Sequence, residues 1–107
     1  MAKYLFIESR DPFEHADVAQ TWGLAKSLAE KGDEVTVFLV QNGVLAAREG
    51  CAAGEYGEGS GVTVLADDVS LLERGIAQDR VRSSISVSNV DALVDLTLEE
   101  GRKAVWT

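Results

Sequence analysis

Residues 34–40 read EVTVFLV, a run in which only Glu34 and Thr36 are polar. A strand with one solvated face alternates apolar and polar residues, whereas a strand covered on both faces is apolar almost throughout. The run therefore predicts a central strand of a parallel sheet. Four further segments predict strands, namely the buried first strand KYLFIE (3–8), residues 62–66, the weaker edge strand VRSSISV (81–87) and residues 103–106.

Helical segments separate these strands. The first is predicted to run from Asp11, as N-cap, to Lys31, with Pro12 at the first helical position and Gly32 ending it. Shorter helices are predicted over VLAAR (44–48), over 70–75 with Ser70 and Glu73 as capping pair, and over 88–101 with Ser88 and Asp91 as capping pair. This alternation predicts an α/β fold with a single domain over residues 1–107. It is a three-layer α/β/α sandwich in which helices cover both faces of a mostly parallel five-stranded sheet.

Charge, hydropathy and cysteine count argue against several classes of partner and location. Its net charge is −8, and no basic stripe interleaved with aromatic residues is present, so direct binding to nucleic acid is not expected. No apolar run approaches the roughly 20 residues of a membrane span, and the first ten residues do not resemble a signal peptide. With only one cysteine no internal disulfide can form, which agrees with a reducing cytoplasm.

That cysteine, Cys51, is the first candidate for chemistry. A reactive thiol needs a lowered pKa, which a cation, a metal or a helix N-terminus supplies. The sequence neighbours Glu49, Glu55 and Glu58 disfavour a thiolate, and only Arg48 favours one. A small apolar role is the main interpretation of Cys51, and a catalytic role remains the alternative.

Four glycines follow this cysteine closely in the sequence, at positions 54, 57, 59 and 61. A dinucleotide-binding loop follows a strand and opens a helix, whereas this segment precedes the strand VTVLA and carries two carboxylates. The Lys and Ser/Thr of a P-loop are also absent. The segment is therefore interpreted as a flexible surface connector.

Asp67 and Asp68 follow the third predicted strand. Open α/β sheets place their ligand-binding groups just beyond the carboxyl ends of such strands. Paired carboxylates there can act in acid–base chemistry or bind a cation. The alternative is that they cap the next helix, and this is the favoured interpretation.

Three other residues have mainly structural interpretations. His15 has no second histidine to form a metal site or a catalytic triad, so it is expected to be solvated or to cap the helix. Trp22 falls on the apolar stripe of the first helix and is expected in the core. Trp106 is either core cover or an interface anchor, and both remain open. The loop SRDPFEHA lacks the small hydroxyl-bearing residues of a flavin phosphate site. No cofactor and no metal are expected.

Several stretches together resemble the DsrE/DsrF/DsrH-like superfamily, with the tail most similar to the DsrH/TusB branch. They are DPFE, NGVLAA, VTVLADDVSLLERGI, ISVSNVDALVDLTLEE and the closing AVW. The resemblance implies a five-stranded α/β/α fold and a place in cytoplasmic sulfur trafficking. DsrE-type subunits carry persulfide sulfur on a cysteine and work in trimers or hexamers. Their relay serves 2-thiouridine formation in tRNA or sulfur oxidation, and DsrH/TusB members are often the non-catalytic subunit.

The chain departs from this pattern at the reactive positions. The DsrE-type cysteine is expected where this chain has Asp67, and the first-helix cysteine of some DsrH members is expected near Thr21. Cys51 matches neither position. We therefore expect a non-catalytic subunit that forms a homo- or hetero-oligomer (trimer or hexamer) with DsrE/DsrF-like subunits. The alternatives are a small sulfurtransferase that uses Cys51 and a ligand-binding homo-oligomer that has lost sulfur chemistry.

Overall fold

The computed structural model describes residues 1–51 and 60–107. The glycine-rich connector, with Glu55, Glu58 and three of its four glycines, lies outside these residues. The described elements are β1 (Lys3–Glu8), α1 (Asp17–Glu30), β2 (Glu34–Leu39), a 3₁₀ helix (Gln41–Ala47), β3 (Thr63–Asp67), α2 (Asp68–Glu73), a second 3₁₀ helix (Gln78–Arg80), β4 (Ser86–Ser88), α3 (Val90–Leu98) and β5 (Arg102–Trp106).

The five strands form one sheet in the order β4-β3-β2-β1-β5. All four strand pairings are parallel, which confirms the predicted sheet. The run EVTVFLV supplies the central strand β2, as its apolar character predicts, and β4 lies at an edge.

Two apolar layers cover the faces of this sheet, which confirms the α/β/α architecture. One layer joins Phe6, Val37 and Leu39 with α1, α2 and the first 3₁₀ helix. The opposite layer joins Leu5 and Phe38 with the inner side chains of α3. Both layers arise because neighbouring residues of a strand face opposite sides of the sheet.

Helix α1 begins later than the sequence predicts. Oδ1 of the buried Asp11 accepts the backbone N–H groups of Phe13 (2.9 Å) and Glu14 (2.8 Å), as an N-cap would. The chain nevertheless turns over residues 12–16, and the helix starts at Asp17. Asp11 thus stabilises a turn, because the same side-chain hydrogen bonds serve an Asx turn and a helix N-cap.

The predicted strand over 81–87 is also wrong in its bounds. Only residues 86–88 pair with β3. Val81 instead forms an antiparallel bridge with Arg48, and the Arg82 N–H donates to the Ala47 carbonyl (2.9 Å). The apolar–polar alternation of this segment suits either pairing, so it did not distinguish between them.

The caps of the last two helices differ in part from prediction. Asp67 is the N-cap of α2, as the favoured interpretation of this residue predicts, whereas the predicted pair Ser70 and Glu73 does not cap it. Asn89 is the N-cap of α3, its Oδ1 accepting the Ala92 N–H at 2.9 Å. The side-chain oxygen that binds the first free N–H groups lies three residues before Ser70 in α2 and one residue after Ser88 in α3.

Candidate functional site

Parallel pairing brings the carboxyl ends of all five strands to one edge of the sheet. β1 ends there at Glu8, β2 at Leu39, β3 at Asp67, β4 at Ser88 and β5 at Trp106. The loops that follow these strands are the usual place for ligand-binding groups in an open α/β sheet. The sequence candidates Asp67 and Asp68 lie at this edge.

Asp67 takes part in a chain of hydrogen bonds that links three elements. Its Oδ2 accepts both the backbone N–H (2.9 Å) and the hydroxyl (2.7 Å) of Ser70. The Ser70 Oγ in turn accepts the backbone N–H of Gln41 at 2.9 Å, and Ser70 is 5% exposed. The favoured capping interpretation describes what this carboxylate does: it joins the end of β3 to α2 and, through Ser70, to the first 3₁₀ helix.

Asp68 has a different environment. Its Oδ1 accepts the Val69 N–H at 2.8 Å. The residue lines a cavity of about 230 Å³ between α2 and residues 76–78, and Asp67 is not among the residues that line it. Val69 (54% exposed) and Leu72 (79% exposed) form apolar margins of this cavity. The two aspartates therefore do not form a paired acid–base site around one cavity.

Cys51 lies half-buried beyond the first 3₁₀ helix. Its N–H donates to the Arg48 carbonyl (3.0 Å), and its carbonyl accepts Nη2 of Arg82 (2.9 Å). With Arg48, Phe13 and Leu45 it lines a cavity of about 240 Å³. The sequence prediction weighed only near neighbours of Cys51, and it missed Arg82, which the fold brings in from 31 positions away.

Thr21, the other position where relatives are expected to carry a cysteine, lies on α1. Its hydroxyl donates to the Asp17 carbonyl of the preceding turn at 3.2 Å. Asp67 and Thr21 have no sulfur atom, and the side chain of each forms hydrogen bonds within the fold.

His15 has companions that the sequence analysis did not anticipate. Its ring, the Asp11 carboxylate and the Glu14 carboxylate place one ligand atom each within 4.8 Å of the others. However, Asp11 already accepts two backbone N–H groups, and Glu14 is exposed. The turn over residues 12–16 accounts for this grouping, and we assign no ion to it.

Charged residues also gather at the opposite, amino-terminal edge of the sheet. The Arg102 side chain, 4% exposed, binds Glu99 and Glu34, and Lys3 binds Glu99 at 2.8 Å. The hydrogen bond from Lys3, followed by that from Arg102, lowers the pKa of Glu99. The Glu99 hydrogen bond raises the pKa of Lys3, and the pKa of Arg102 is raised because Glu99 and Glu34 outweigh the effect of its burial. This network holds the starts of β1, β2 and β5 together.

The outer side of α3 and the edge strand β5 expose large apolar side chains. Val90 is 58%, Leu98 77% and Trp106 64% exposed, with Val94 and Val105 also exposed. Trp106 is therefore not core cover, whereas Trp22 is partly buried against the larger apolar layer, as expected for a core residue.

Comparison with known proteins identifies the family. The sequence profile described as "DsrH like protein" matches residues 11–103. The chain belongs to the DsrH-like family. This confirms the resemblance seen in the sequence. No curated protein matches the chain.

Two solved structures share the fold of this DsrH-like protein over the full length of both chains. The ychN protein from E. coli superposes with a TM-score of 0.86 at 19% identity. MTH1491 from Methanobacterium thermoautotrophicum, described as a protein of unknown function, superposes with a TM-score of 0.77 at 20% identity. At such identities the likeness establishes the fold alone. Among the described residues, no helix has the length and apolar character needed to cross a membrane.

Proposed function

We propose that this DsrH-like chain, as one domain over residues 1–107, is a subunit of a cytoplasmic sulfur-relay assembly and does not itself carry the sulfur. Membership of the DsrH-like family supports a role in sulfur relay. The observation that carries the non-catalytic part of the proposal is the state of Asp67. Where the resemblance leads us to expect a persulfide-bearing cysteine, the chain has a carboxylate whose Oδ2 accepts two hydrogen bonds from Ser70.

The chemistry of that position explains why the sulfur must reside elsewhere. A persulfide forms on a thiolate sulfur, and an aspartate oxygen has no equivalent reaction. The Thr21 hydroxyl cannot replace it either. A partner subunit with a cysteine therefore carries the sulfur, and this chain contributes to the structure of the assembly. No cofactor is required for such a role.

The exposed apolar side chains of α3 and β5 support the need for a partner. A domain of 107 residues covers its apolar surface less completely than a larger one. Large exposed apolar surfaces typically mark protein interfaces. We assign the partners to DsrE/DsrF-like subunits in a trimer or hexamer. The relay serves tRNA thiolation or sulfur oxidation.

The test is co-expression of the chain with DsrE- and DsrF-like subunits, followed by native mass spectrometry and labelling with a persulfide donor. We expect a mixed assembly in which the added sulfur mass lies on the partner cysteines. Cys51→Ser should leave both assembly and sulfur transfer unchanged. Ser60→Ala, prepared in the same way, controls for effects of purifying a variant complex. A persulfide on Cys51, together with loss of transfer in Cys51→Ser, would contradict the proposal.

One observation favours a second candidate, a small sulfurtransferase that uses Cys51. The residue is half-buried and, together with Arg48, lines a cavity of about 240 Å³. This candidate predicts sulfur transfer by the chain alone. A self-associated chain that takes up no sulfur contradicts it and favours instead a ligand-binding homo-oligomer.

A further inference from the structure

A polar cleft separates the end of α2 from the segment that follows the first 3₁₀ helix. Its volume is about 520 Å³, and three arginines from three parts of the chain line it: Arg48, Arg74 and Arg80. They are three of only ten lysine and arginine residues in a chain of net charge −8. Such a concentration of positive charge contrasts with the acidic character of the whole chain.

Backbone pairing fixes two of these arginines relative to each other. Arg48 bridges to Val81, and the Glu49 N–H donates to the Arg80 carbonyl at 2.6 Å. The Arg82 N–H donates to the Ala47 carbonyl at 2.9 Å on the other side of the bridge. Residues 47–49 and 80–82 are therefore held side by side. This pairing fixes the backbone positions of Arg48 and Arg80 relative to each other.

The third arginine is oriented by its own hydrogen bonds. The Arg74 Nε donates to Oδ1 of Asn42 (3.0 Å), and its Nη1 donates to the Ser70 carbonyl (3.2 Å). This side chain is 25% exposed. A guanidinium held in this way loses little rotational freedom when it binds a ligand, since part of its ordering is already complete.

Carboxylates in the neighbourhood do not neutralise the cleft. Glu49 also lines it, and Glu73 approaches Arg74 at 3.9 Å while being largely exposed. Within residues 1–51 and 60–107, Arg48 and Arg80 form no ion pair. Guanidinium groups repel one another at close range, and an anion placed between them relieves that repulsion.

We propose that the cleft between Arg48, Arg74 and Arg80 binds a tetrahedral oxyanion of the phosphate or sulfate type. Guanidinium groups match such oxygens with pairs of hydrogen bonds. The volume falls in the range of small-molecule sites, which favours a small anion over an acidic protein surface. The inference rests on the cleft alone and is independent of the proposed role in sulfur relay.

The test is titration of the full chain with inorganic phosphate and with sodium sulfate, by isothermal calorimetry and ³¹P NMR. We expect one site per chain, and we expect Arg48→Gln and Arg80→Gln each to weaken binding about tenfold, which corresponds to about 1.4 kcal/mol. Lys31→Gln removes the same charge from the end of α1, outside the cleft, and should leave binding unchanged. Glu49→Gln should tighten binding. Melting temperatures of all variants show whether each remains folded.

The source of the anion is distinguished by a parallel titration with AMP. Equal affinity for AMP and phosphate indicates a free ion, and tighter binding of AMP indicates a phosphoryl group on a larger molecule; both support an oxyanion site. Absence of binding at millimolar phosphate and sulfate, or equal weakening by Lys31→Gln, overturns the proposal. So does release of a partner subunit by Arg80→Gln in a chain that binds no phosphate, which makes the cleft a protein interface.

Discussion

Replacement of Asp67 by alanine tests whether this residue stabilises the fold. The change removes the N-cap of α2, which in other proteins is worth about 1 kcal/mol. It also removes the acceptor of the Ser70 hydroxyl, since Ser70 Oγ donates to Asp67 Oδ2 at 2.7 Å. Ser70 itself is only 5% exposed. A buried donor without a partner costs about 1 kcal/mol or more. The free energy of unfolding should therefore fall by about 2 kcal/mol.

Urea unfolding of the full chain, followed by circular dichroism, measures this loss. Protein concentration must be fixed, since self-association makes apparent stability concentration-dependent. For a domain of this size the expected loss lowers the melting temperature by about 8 °C. Asp67→Asn is the matched control. Asparagine caps helices about as well as aspartate, so its effect should be below about 0.5 kcal/mol.

A double-mutant cycle separates the two contributions of Asp67. In a Ser70→Ala background the hydroxyl is absent, and Asp67→Ala should cost only the cap, about 1 kcal/mol. The coupling between the residues is therefore about 1 kcal/mol. A loss below about 0.5 kcal/mol for Asp67→Ala, or equal losses in both backgrounds, would refute the assignment of the Asp67–Ser70 hydrogen bonds to stability.

Two further predictions concern packing and pH. Gly43→Ala should destabilise the chain by about 3 kcal/mol in urea unfolding, because a Cβ there would lie 2.2 Å from the Glu8 carbonyl oxygen. Gly23→Ala, inside α1 with nothing within 4 Å of the added Cβ, should instead stabilise it by about 0.5–1 kcal/mol, and similar effects of both changes contradict this account. Glu99→Gln should lower the melting temperature more at pH 7 than at pH 2. The lowered pKa of Glu99 gives stability above its unfolded pKa of about 4.3, and that stability is lost as pH falls through the folded value. An equal loss at pH 7 and pH 2 would show that the Lys3–Glu99 charge interaction is not its source.

The parallel sheet was predictable because its signal is local. An apolar run such as 34–40 can be buried on both faces only when helices cover both sides, and β2 indeed lies at the centre of the sheet. The apolar spacing of α1 likewise predicted that Trp22 would face the core, and it is partly buried there.

The predicted boundaries of helices and strands were wrong where one local sequence pattern fits two different structures. The Asp11 side chain accepts the same N–H groups in a turn as in a helix, so the start of α1 depended on tertiary packing. Residues 81–82 have the alternation of a strand, but their partner is the segment around Arg48. That choice rests on a contact between residues 33 or more positions apart, which no local pattern contains.

The arginine cleft lay beyond sequence reasoning for a related reason. Arg48, Arg74 and Arg80 are spread over 33 positions and belong to no motif. Only the bridge between residues 47–49 and 80–82 and the hydrogen bonds of Arg74 bring them to one cavity. The net charge of −8 predicts a surface that repels anions. A summed charge does not report how the charges are distributed, so it does not exclude a local anion site.

Position 67 connects the stability of the fold to the proposed loss of chemistry. An ionised carboxylate accepts several hydrogen bonds, whereas a thiol is a weak acceptor. With aspartate there, Oδ2 binds both donors of Ser70, and Ser70 remains free to bind the Gln41 N–H. The residue that excludes a persulfide thus joins three elements at the carboxyl edge of the sheet. Under the proposed role, in which a partner carries the sulfur, aspartate at this position costs no chemistry and attaches α2 firmly to β3.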